Sequence, residues 1–280
     1  MEMQGGRALV LGGVKGVGKA IALDLARSGA KVAVIWHDWE SFLPALERDL
    51  KAVTDDFLIL RADLRETAKI AETVDSVARR FGGLNVLVNN IERGGWPAVH
   101  GPYTEEQWDL EFATTLRAKR WAFEAALPHL RKSENACVVN VSSIAGIVGR
   151  SGPAAPVFAE GYSSANAGIS VLTRTWARMG APEVRVNEIM LGFFDTRHGP
   201  ETRGWDILTE DERRAILDHT LLNRTGGLDD VTAAVRFLVN DAPFMTGGTL
   251  VLDGGYILGG ERTPPVQKGV VQPGESVLGK

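Results

Sequence analysis

The chain has 280 residues, with 31 Lys and Arg against 35 Asp and Glu, and its formal net charge at pH 7 is −4. This mildly acidic balance argues against a general binder of nucleic acid or of membrane surfaces, which would carry a basic patch, and the apolar runs are too short to span a membrane. The single cysteine, Cys137, cannot form an intrachain disulfide. We therefore expect a cytoplasmic globular protein with no nucleic-acid partner, no membrane partner and no metal site.

Short apolar runs that indicate β-strands alternate with helical patterns along the chain. The predicted strands lie at residues 8–11, 31–36, 57–60, 84–88, 136–141, 184–189 and 249–252. A helix with Val17, Ile21 and Leu25 at helical spacing follows the first strand, and the later helical patterns lie at residues 70–81, 104–132, 162–179 and 229–239. Apolar strands separated by helices predict a doubly wound α/β fold, in which helices flank both faces of a seven-stranded parallel sheet.

Residues 1–256 show no linker and are predicted to form a single domain. Residues 104–107 (Thr-Glu-Glu-Gln) have the form of a capping box, which predicts the start of a helix there. Two segments break the alternation of strands and helices. Residues 193–222 make a long connection that we predict to be a lid over a substrate. Residues 257–280 are polar and rich in Pro and Gly, which predicts a C-terminal tail on the surface or on a partner subunit.

The turn after the first strand is rich in glycine. The chain holds 32 glycines in 280 residues, about 11% against a usual ~7%, and 44% of its residues are hydrophobic, which argues against disorder. Gly12, Gly16 and Gly18 lie between a predicted strand and a predicted helix. Glycines at such a place let backbone N–H groups approach a pyrophosphate, and the helix dipole favours an anion there. The turn therefore predicts a dinucleotide-binding site.

Further motifs follow this turn in a fixed order. They are Asp63 after the third strand, Asn89-Asn90 at the end of the fourth, Ser143 after the fifth, Tyr162 at the start of a helix, residues 185–192 (RVNEIMLG), Thr196 and residues 245–255. With the G-x-x-x-G-x-G spacing of residues 12–18, this order resembles the short-chain dehydrogenase/reductase family over residues 5–256, and in particular its 3-oxoacyl-(acyl carrier protein) reductases. The resemblance implies a Rossmann fold, a nicotinamide dinucleotide cofactor, a small-molecule substrate and a homodimer or homotetramer.

The resemblance also indicates which residues hold the cofactor. They are Gly12, Lys15, Gly16, Val17, Gly18, Trp36, His37, Asp63, Leu64, Asn90, Asn166 and Thr196. An acidic residue at the end of the second strand would bind the 2′-hydroxyl of NAD and repel the 2′-phosphate of NADP, but Trp36 stands there. Lys15 and His37 suit a phosphate, so NADP(H) is the preferred cofactor. Asp38 is able to bind a ribose, so NAD(H) stays open.

The catalytic positions of the family are only partly kept. Family members move a hydride between the nicotinamide and a carbonyl or alcohol carbon, using a tyrosine, a serine, a lysine and an asparagine. By position, the tyrosine is Tyr162 and the serine is Ser143, but the lysine position holds Asn166 and the asparagine position holds Thr115. A nearby cation favours ionisation of a tyrosine, whose ordinary pKa is ~10, and Asn166 has no charge. We therefore predict an altered proton relay.

Several side chains are candidates for replacing what the relay has lost. Glu92 stands where the family has a glycine, and it either acts as an acid or base or points to solvent. Lys119, Arg120 and Arg150 are candidates for the lost positive charge. The family's substrate cleft is bordered by segments that here contain Trp96, Phe158, Phe193, Phe194 and Trp205. These aromatics indicate a bulky apolar or aromatic substrate, or else they pack in the core or at a subunit contact. His100 and His198 are interpreted as surface or structural histidines and not as catalysts.

Three functions are compatible with these motifs. Retention of both Ser143 and Tyr162 favours an NADPH-dependent oxidoreductase that reduces a ketone. Loss of the lysine and the asparagine favours a catalytically impaired homologue that acts as a nucleotide-binding partner subunit. A third alternative is a non-redox cyclase or isomerase that uses the same scaffold.

Overall fold

The structure, a computed structural model, describes residues 3–92, 104–196, 208–261, 263–265 and 273–274. Within these ranges, seven parallel strands form a sheet in the order β3-β2-β1-β4-β5-β6-β7. The strands are β1 (Arg7–Leu11), β2 (Lys31–Trp36), β3 (Phe57–Arg61), β4 (Val86–Asn89), β5 (Ala136–Ser143), β6 (Val184–Leu191) and β7 (Thr249–Leu252). The central strands are apolar on both faces because helices cover both sides of the sheet. The predicted doubly wound α/β fold is confirmed.

Helices cover the two faces of the sheet. They are α1 (Gly16–Arg27), α2 (Leu43–Lys51), α3 (Thr67–Phe81), α4 (Glu105–Glu111), α5 (Ala118–Leu130), α6 (Ala145–Val148), α7 (Glu160–Gly180), α8 (Glu210–His219) and α9 (Leu228–Arg236). Helices α1, α2 and α9 pack on one face, and α3, α5 and α7 pack on the other. On the second face, Phe123 stacks on Trp176 with 4.7 Å between ring centroids. Within the described ranges, no helix combines the length and apolar character needed to cross a membrane.

The strand order leaves a crevice at the carboxyl edge of the sheet. Strand β1 pairs with β2 on one side and with β4 on the other. The chain leaves β1 toward one face and β4 toward the opposite face, so the loops that follow these two strands diverge. Ligands of open α/β sheets bind in the crevice that opens at such a point. The sheet topology therefore places the predicted glycine turn and the end of β4 side by side.

The predicted helix at residues 104–132 begins where the sequence indicates but is not uniform. Thr104 Oγ1 accepts a hydrogen bond from the Gln107 N–H at 3.2 Å, and Gln107 Oε1 accepts one from the Thr104 N–H at 3.0 Å, which confirms the capping box. A π-helical segment, Phe112–Arg117, then separates α4 from α5. Because the π turn contains an extra residue, it rotates the side chains after it relative to a continuous α-helix. Thr115 lies in this turn and is fully buried.

Three helices, α2, α6 and α8, were not predicted from the sequence, and α6 is a single turn of four residues. Helix α2 buries only Leu46 and Leu50, and two apolar positions in a short polar segment do not establish a helical period. Helix α8 begins with a second capping box, in which the Thr209 hydroxyl accepts from the Glu212 N–H and Glu212 accepts from the Thr209 N–H. Its apolar face is small, with Ile216 as its buried residue.

The segment after β7 continues to pack against the domain. A 3₁₀ helix, Tyr256–Leu258, follows β7, so the predicted border between residues 256 and 257 falls inside a helix. Tyr256 is 2% exposed, and its hydroxyl accepts a hydrogen bond from the Ala154 N–H at 2.9 Å. This contact ties the chain to the connection between β5 and α7. The division into a domain at residues 1–256 and a tail at residues 257–280 stays a prediction.

Gly18→Ala is expected to destabilise the protein because a Cβ at position 18 would lie 2.2 Å from the carbonyl oxygen of Gly12. The backbone has to shift to relieve this overlap, and we expect a loss of about 2–3 kcal/mol of unfolding free energy, measured by chemical denaturation. Gly227→Ala is the matched control, since the nearest atom to its Cβ would be Asp230 Oδ2 at 3.8 Å. Equal losses in the two variants would contradict this account of the glycine turn.

Candidate functional site

A cleft of about 250 Å³ opens at the carboxyl edge of the sheet. Most of the residues that the sequence assigns to catalysis or to the cofactor line it. They are Gly12, Lys15, Gly16, Val17, Trp36, His37, Asp63, Leu64, Asn90, Ser143, Tyr162 and Thr196. The other three, Gly18, Asn166 and Thr115, lie behind the cleft wall. The fold therefore brings residues that are far apart in the sequence to one crevice.

The glycine turn is held tightly against the end of β4. The backbone of Gly12 has a φ of +74° and that of Gly16 a φ of +55°, values that side chains rarely allow. The Asn90 side chain donates a hydrogen bond from Nδ2 to the Gly12 carbonyl oxygen at 2.9 Å, and a Cβ at Gly18 would also lie 2.6 Å from Asn90 Nδ2. Glycine is therefore required for the contact itself.

Helix α1 begins directly after this turn, at Gly16. The N–H groups in the first turn of a helix have no partner within the helix, and the helix dipole makes that end positive. Thr196 lies close to the same place, with its Cβ 3.9 Å from where a Cβ of Gly16 would stand. The turn thus forms a cradle that a larger residue would fill, and its donors suit the pyrophosphate of a dinucleotide.

Charged side chains cluster where the loops after β2 and β3 border the cleft. His37 Nε2 lies 3.5 Å from Asp38 Oδ1 and 3.6 Å from Asp63 Oδ2. Arg65 binds both carboxylate oxygens of Asp63, with Nε 2.9 Å from Oδ1 and Nη2 2.6 Å from Oδ2. These hydrogen bonds lower the pKa of Asp63 to about 2. Asp63 is therefore an anion that Arg65 neutralises. Arg65 also lines the cleft, and it was not identified from the sequence.

Lys15 lies against aromatic rings at the mouth of the cleft. Its Nζ is 3.2 Å from the centroid of the Trp39 ring and 4.8 Å from that of Phe42, a cation–π arrangement. Trp36 also lines the cleft, and the Arg61 guanidinium lies 5.2 Å from its ring centroid. Cations and flat aromatic surfaces therefore adjoin each other here. Trp39 was not identified from the sequence, because its contact with Lys15 depends on how the loop after β2 folds back.

Tyr162 and Ser143, which match the tyrosine and serine of the family pattern, lie beside the ends of β4 and β5. The Tyr162 hydroxyl donates a hydrogen bond to Glu92 Oε2 at 2.9 Å. Ser143 Oγ accepts a hydrogen bond from the Ala145 N–H at 3.2 Å. All three side chains line the cleft, and Tyr162 and Ser143 are 8% and 6% exposed. Of the two interpretations of Glu92, the structure thus favours a residue of the site over one that points to solvent.

Asn166 and Thr115, which replace the lysine and the asparagine of the family pattern, are both fully buried. Asn166 Nδ2 donates a hydrogen bond to the Tyr162 carbonyl oxygen, one turn earlier in α7, at 2.9 Å. Asn166 Oδ1 and Thr115 Oγ1 are buried polar atoms for which the described residues provide no hydrogen-bond partner. Such atoms usually bind ordered water. Asn166 does not line the cleft, so its contact with the cofactor ribose stays a prediction.

Of the three candidates for the lost positive charge, Lys119 is the one in the interior. It is fully buried, and its Nζ donates a hydrogen bond to the Val141 carbonyl oxygen at 2.5 Å. Arg120 is bound to Glu124 on the exposed side of α5, and Arg150 is exposed, with its Nε 3.3 Å from the Ala155 carbonyl oxygen. Lys119 lies behind the cleft wall, since both Ala118 and Val141 line the cleft.

The predicted substrate aromatics divide into three groups. Phe158 and Phe193 are buried in an apolar cluster and stack on each other, with 5.7 Å between ring centroids. Phe194 lines the cleft. Trp96 and Trp205, like His100 and His198, lie outside the described residues. Core packing therefore explains the positions of Phe158 and Phe193, whereas the Phe194 side chain forms part of the cleft wall.

Comparison with known proteins agrees with this geometry. A family model described as enoyl-(acyl carrier protein) reductase matches residues 12–257. A Rhizobium meliloti protein named "Probable galactose dehydrogenase GalD" is 32% identical over 88% of this chain and 93% of its own length. The 3-oxoacyl-(acyl carrier protein) reductase FabG of Thermotoga maritima is 29% identical over 92% of this chain and 100% of its own length.

A solved structure agrees in fold and in sequence. The short-chain dehydrogenase of Burkholderia cenocepacia J2315, solved in complex with NADP, has a TM-score of 0.79 and 29% identity, and the match covers 92% of this chain and all of that one. The residues that the family model matches include the glycine turn, Ser143 and Tyr162. The chain therefore belongs to the short-chain dehydrogenase/reductase family, and it is an NAD(P)-dependent oxidoreductase of that type.

Proposed function

We propose that the protein reduces a ketone with NADPH, and that Tyr162 and Ser143 act on the carbonyl oxygen. The observation that carries the proposal is that both hydroxyls line the same cleft as the glycine turn. A hydride donor bound at the turn and a carbonyl group between the two hydroxyls would then share one crevice. Reduction of a carbonyl needs a hydride for the carbon and a proton for the oxygen, and the cleft has residues suited to both tasks.

The residues of the cleft fit a phosphorylated dinucleotide. Gly12 and Gly16 line the cleft next to the first turn of α1, where a pyrophosphate would lie. Gly18 lets this turn pack against Asn90. Lys15 brings a cation to the region where the 2′-phosphate of NADP would lie, while Asp38 is the opposing charge and keeps NAD(H) as a second cofactor. The solved relative from Burkholderia cenocepacia was determined with NADP. We therefore propose NADP(H) as the preferred cofactor.

The chain's own residues would orient the substrate and deliver the proton. When bound, the nicotinamide supplies a hydride to the carbonyl carbon. Ser143 donates a hydrogen bond to the carbonyl oxygen, which stabilises the negative charge that develops there. Tyr162 gives its hydroxyl proton to that oxygen, and the product is an alcohol. Asn166 and Thr115 stand where the family's lysine and asparagine would be, so we propose that they hold the cofactor ribose and buried water without adding charge.

The substrate is proposed to be bulky and apolar or aromatic. Phe194 lines the cleft and lies three residues after the end of β6, at the start of the segment 193–222 that we propose as the lid. Phe193 packs on Phe158 beneath it, which anchors the start of that segment. An apolar substrate would bury its surface against Phe194 when the segment covers the cleft.

We further propose a cytoplasmic homodimer or homotetramer. The family assembles through helices that correspond here to residues 104–132 and 162–179. In this chain those helices expose large apolar side chains. They are Trp108, Trp121, Val171 and Met179, which are 39%, 39%, 56% and 41% exposed. Large apolar side chains on neighbouring helices are typical of a surface that another subunit covers.

Tyr162→Phe and Ser143→Ala are each expected to lower kcat for NADPH-dependent ketone reduction by about 100-fold or more, since each removes one donor to the carbonyl oxygen. A panel of aromatic and alicyclic ketones, followed by NADPH absorbance, measures this loss. Ser28→Ala is the control, because Ser28 caps the far end of α1 through its own hydrogen bond to Asp24. Unchanged turnover in Tyr162→Phe would refute the assignment of the proton donor. NADPH binding without turnover in the wild type would instead favour a nucleotide-binding partner subunit.

Lys15→Met is expected to weaken NADPH binding by about tenfold and to leave NADH binding nearly unchanged. The variant loses the charged hydrogen bond from Lys15 to the 2′-phosphate, and NADH has no 2′-phosphate. Fluorescence titration of each cofactor measures both dissociation constants. Lys51→Met is the control, since Lys51 is an exposed lysine at the end of α2. Equal weakening of both cofactors, or tighter NADH than NADPH binding in the wild type, would contradict the proposed cofactor preference.

A further inference from the structure

Glu92 brings a carboxylate to the reactive end of the cleft. It lies three residues after the end of β4, and the Tyr162 hydroxyl donates to its Oε2 at 2.9 Å. The family resemblance predicts a glycine at this position, and a glycine offers no side-chain acceptor. The contact therefore belongs to this chain and needs its own explanation.

The hydrogen bond between Tyr162 and Glu92 matters for alcohol oxidation, which needs a proton acceptor at this site. Oxidation requires a group that takes the proton of the alcohol, and a tyrosine with an ordinary pKa of ~10 is protonated at neutral pH. A cation next to the tyrosine would favour its ionised form, but position 166 holds a neutral asparagine that bonds to the backbone of its own helix. A protonated tyrosine is still able to accept a proton if it passes its own to a neighbour. Glu92 is such a neighbour.

We propose that Glu92 is a catalytic base that receives the hydroxyl proton of Tyr162, so that the site also oxidises a secondary alcohol with an oxidised nicotinamide dinucleotide. The proposal rests on the function proposed above, because it uses the same tyrosine in the same cleft. It adds a catalytic residue and a direction of reaction that the retained serine and tyrosine do not by themselves explain.

The atoms and electrons of this reaction balance. The alcohol carbon loses its hydrogen with the bonding electron pair to the nicotinamide, which is reduced, and the carbon–oxygen bond becomes a carbonyl. The hydroxyl proton of the alcohol passes to Tyr162 Oη while the original Tyr162 proton passes to Glu92 Oε2. Tyr162 ends as it began, and Glu92 holds one proton. Glu92 is only partly buried, so water is able to take that proton and restore the carboxylate.

Other titratable groups of the described cleft lie on the far side of β1. Lys15, His37, Asp38, Asp63 and Arg65 belong to the loops after β1, β2 and β3, whereas Glu92 follows β4 and Ser143 ends β5. From α5, Lys119 faces the back of the cleft wall, with its Nζ on the Val141 carbonyl oxygen. From α7, Tyr162 itself and the neutral Asn166 face this end. Glu92 is thus the carboxylate in hydrogen-bond contact with the catalytic hydroxyl.

Glu92→Gln tests the base, because an amide keeps a hydrogen-bond acceptor for Tyr162 but takes no proton at neutral pH. With NADP⁺ and the alcohol product of the ketone that the wild type reduces best, we expect kcat at pH 7 to fall about 100-fold. The variant's rate should rise with pH toward the range of an ordinary tyrosine, at ~10, and depend on pH more steeply than the wild-type rate. Because one site catalyses both directions, ketone reduction at the same pH also slows. Glu124→Gln is the control, because Glu124 is an exposed glutamate that pairs with Arg120 on the surface of α5.

A second measurement on the cofactor-free protein examines the contact without turnover. The ultraviolet absorbance of tyrosinate is followed with pH in the wild type and in Glu92→Gln, and the same titrations with Tyr162→Phe isolate Tyr162 among the three tyrosines of the chain. A carboxylate beside a phenol opposes its ionisation. Tyr162 should therefore ionise at a lower pH in Glu92→Gln than in the wild type.

The outcomes separate this inference from the proposed function. If Tyr162→Phe is inactive but Glu92→Gln keeps the wild-type rate and pH profile, the base assignment is wrong and the proposed function stands. If Glu92→Gln leaves the ionisation of Tyr162 unchanged, the contact does not operate and the base assignment is again wrong. If Tyr162→Phe keeps full activity, the proposed function fails and the relay fails with it. The relay is supported if Glu92→Gln lowers the oxidation rate, shifts its pH profile to higher pH and lets Tyr162 ionise at a lower pH than in the wild type.

Discussion

The site depends on the close approach between the glycine turn and the end of β4. The Gly12 carbonyl oxygen accepts a hydrogen bond from Asn90, and Gly18 packs so near to both that a single Cβ would overlap them. This contact fixes the start of α1 against the sheet and sets the width of the crevice next to β1. It also fixes the path of the chain that leaves β4, where Glu92 follows two residues after Asn90. One packing constraint therefore positions both the glycine turn and the partner of Tyr162.

A buried polar layer supports the other side of the site. Glu188, on β6, is fully buried and accepts hydrogen bonds from the hydroxyls of Ser142, Ser170 and Thr249. Lys119 extends from α5 to β5, where its Nζ donates a hydrogen bond to the Val141 carbonyl oxygen. Buried polar groups are costly unless hydrogen bonds satisfy them, and the partners of Glu188 and Lys119 come from β5, β7 and α7. The layer holds the end of β5 in place, and Ser143 takes its position in the cleft from that strand end.

The sequence was sufficient for the frame of the protein and for most of the cleft. Apolar strand runs, the capping box at Thr104 and the glycine turn are local patterns, and the structure has all of them. Helix α2 was missed because its burial rests on two residues. The contact between Tyr162 and Glu92 joins residues 70 positions apart, and the burial of Lys119 depends on the π turn before it, so neither follows from spacing. The substitutions at positions 92, 115 and 166 were visible as departures from a family pattern, but their consequences required the fold.

We propose that the glycine turn binds the cofactor and that Tyr162, with Glu92 as its partner, moves the proton in one redox reaction. The most direct test follows deuterium from NADPH in which both hydrogens at C4 of the nicotinamide are replaced by deuterium. With the purified wild-type chain and a ketone substrate, the account predicts one deuterium at the carbinol carbon of the product for each NADPH consumed. Product without deuterium, or NADPH binding with no transfer to any ketone of the panel, would contradict it.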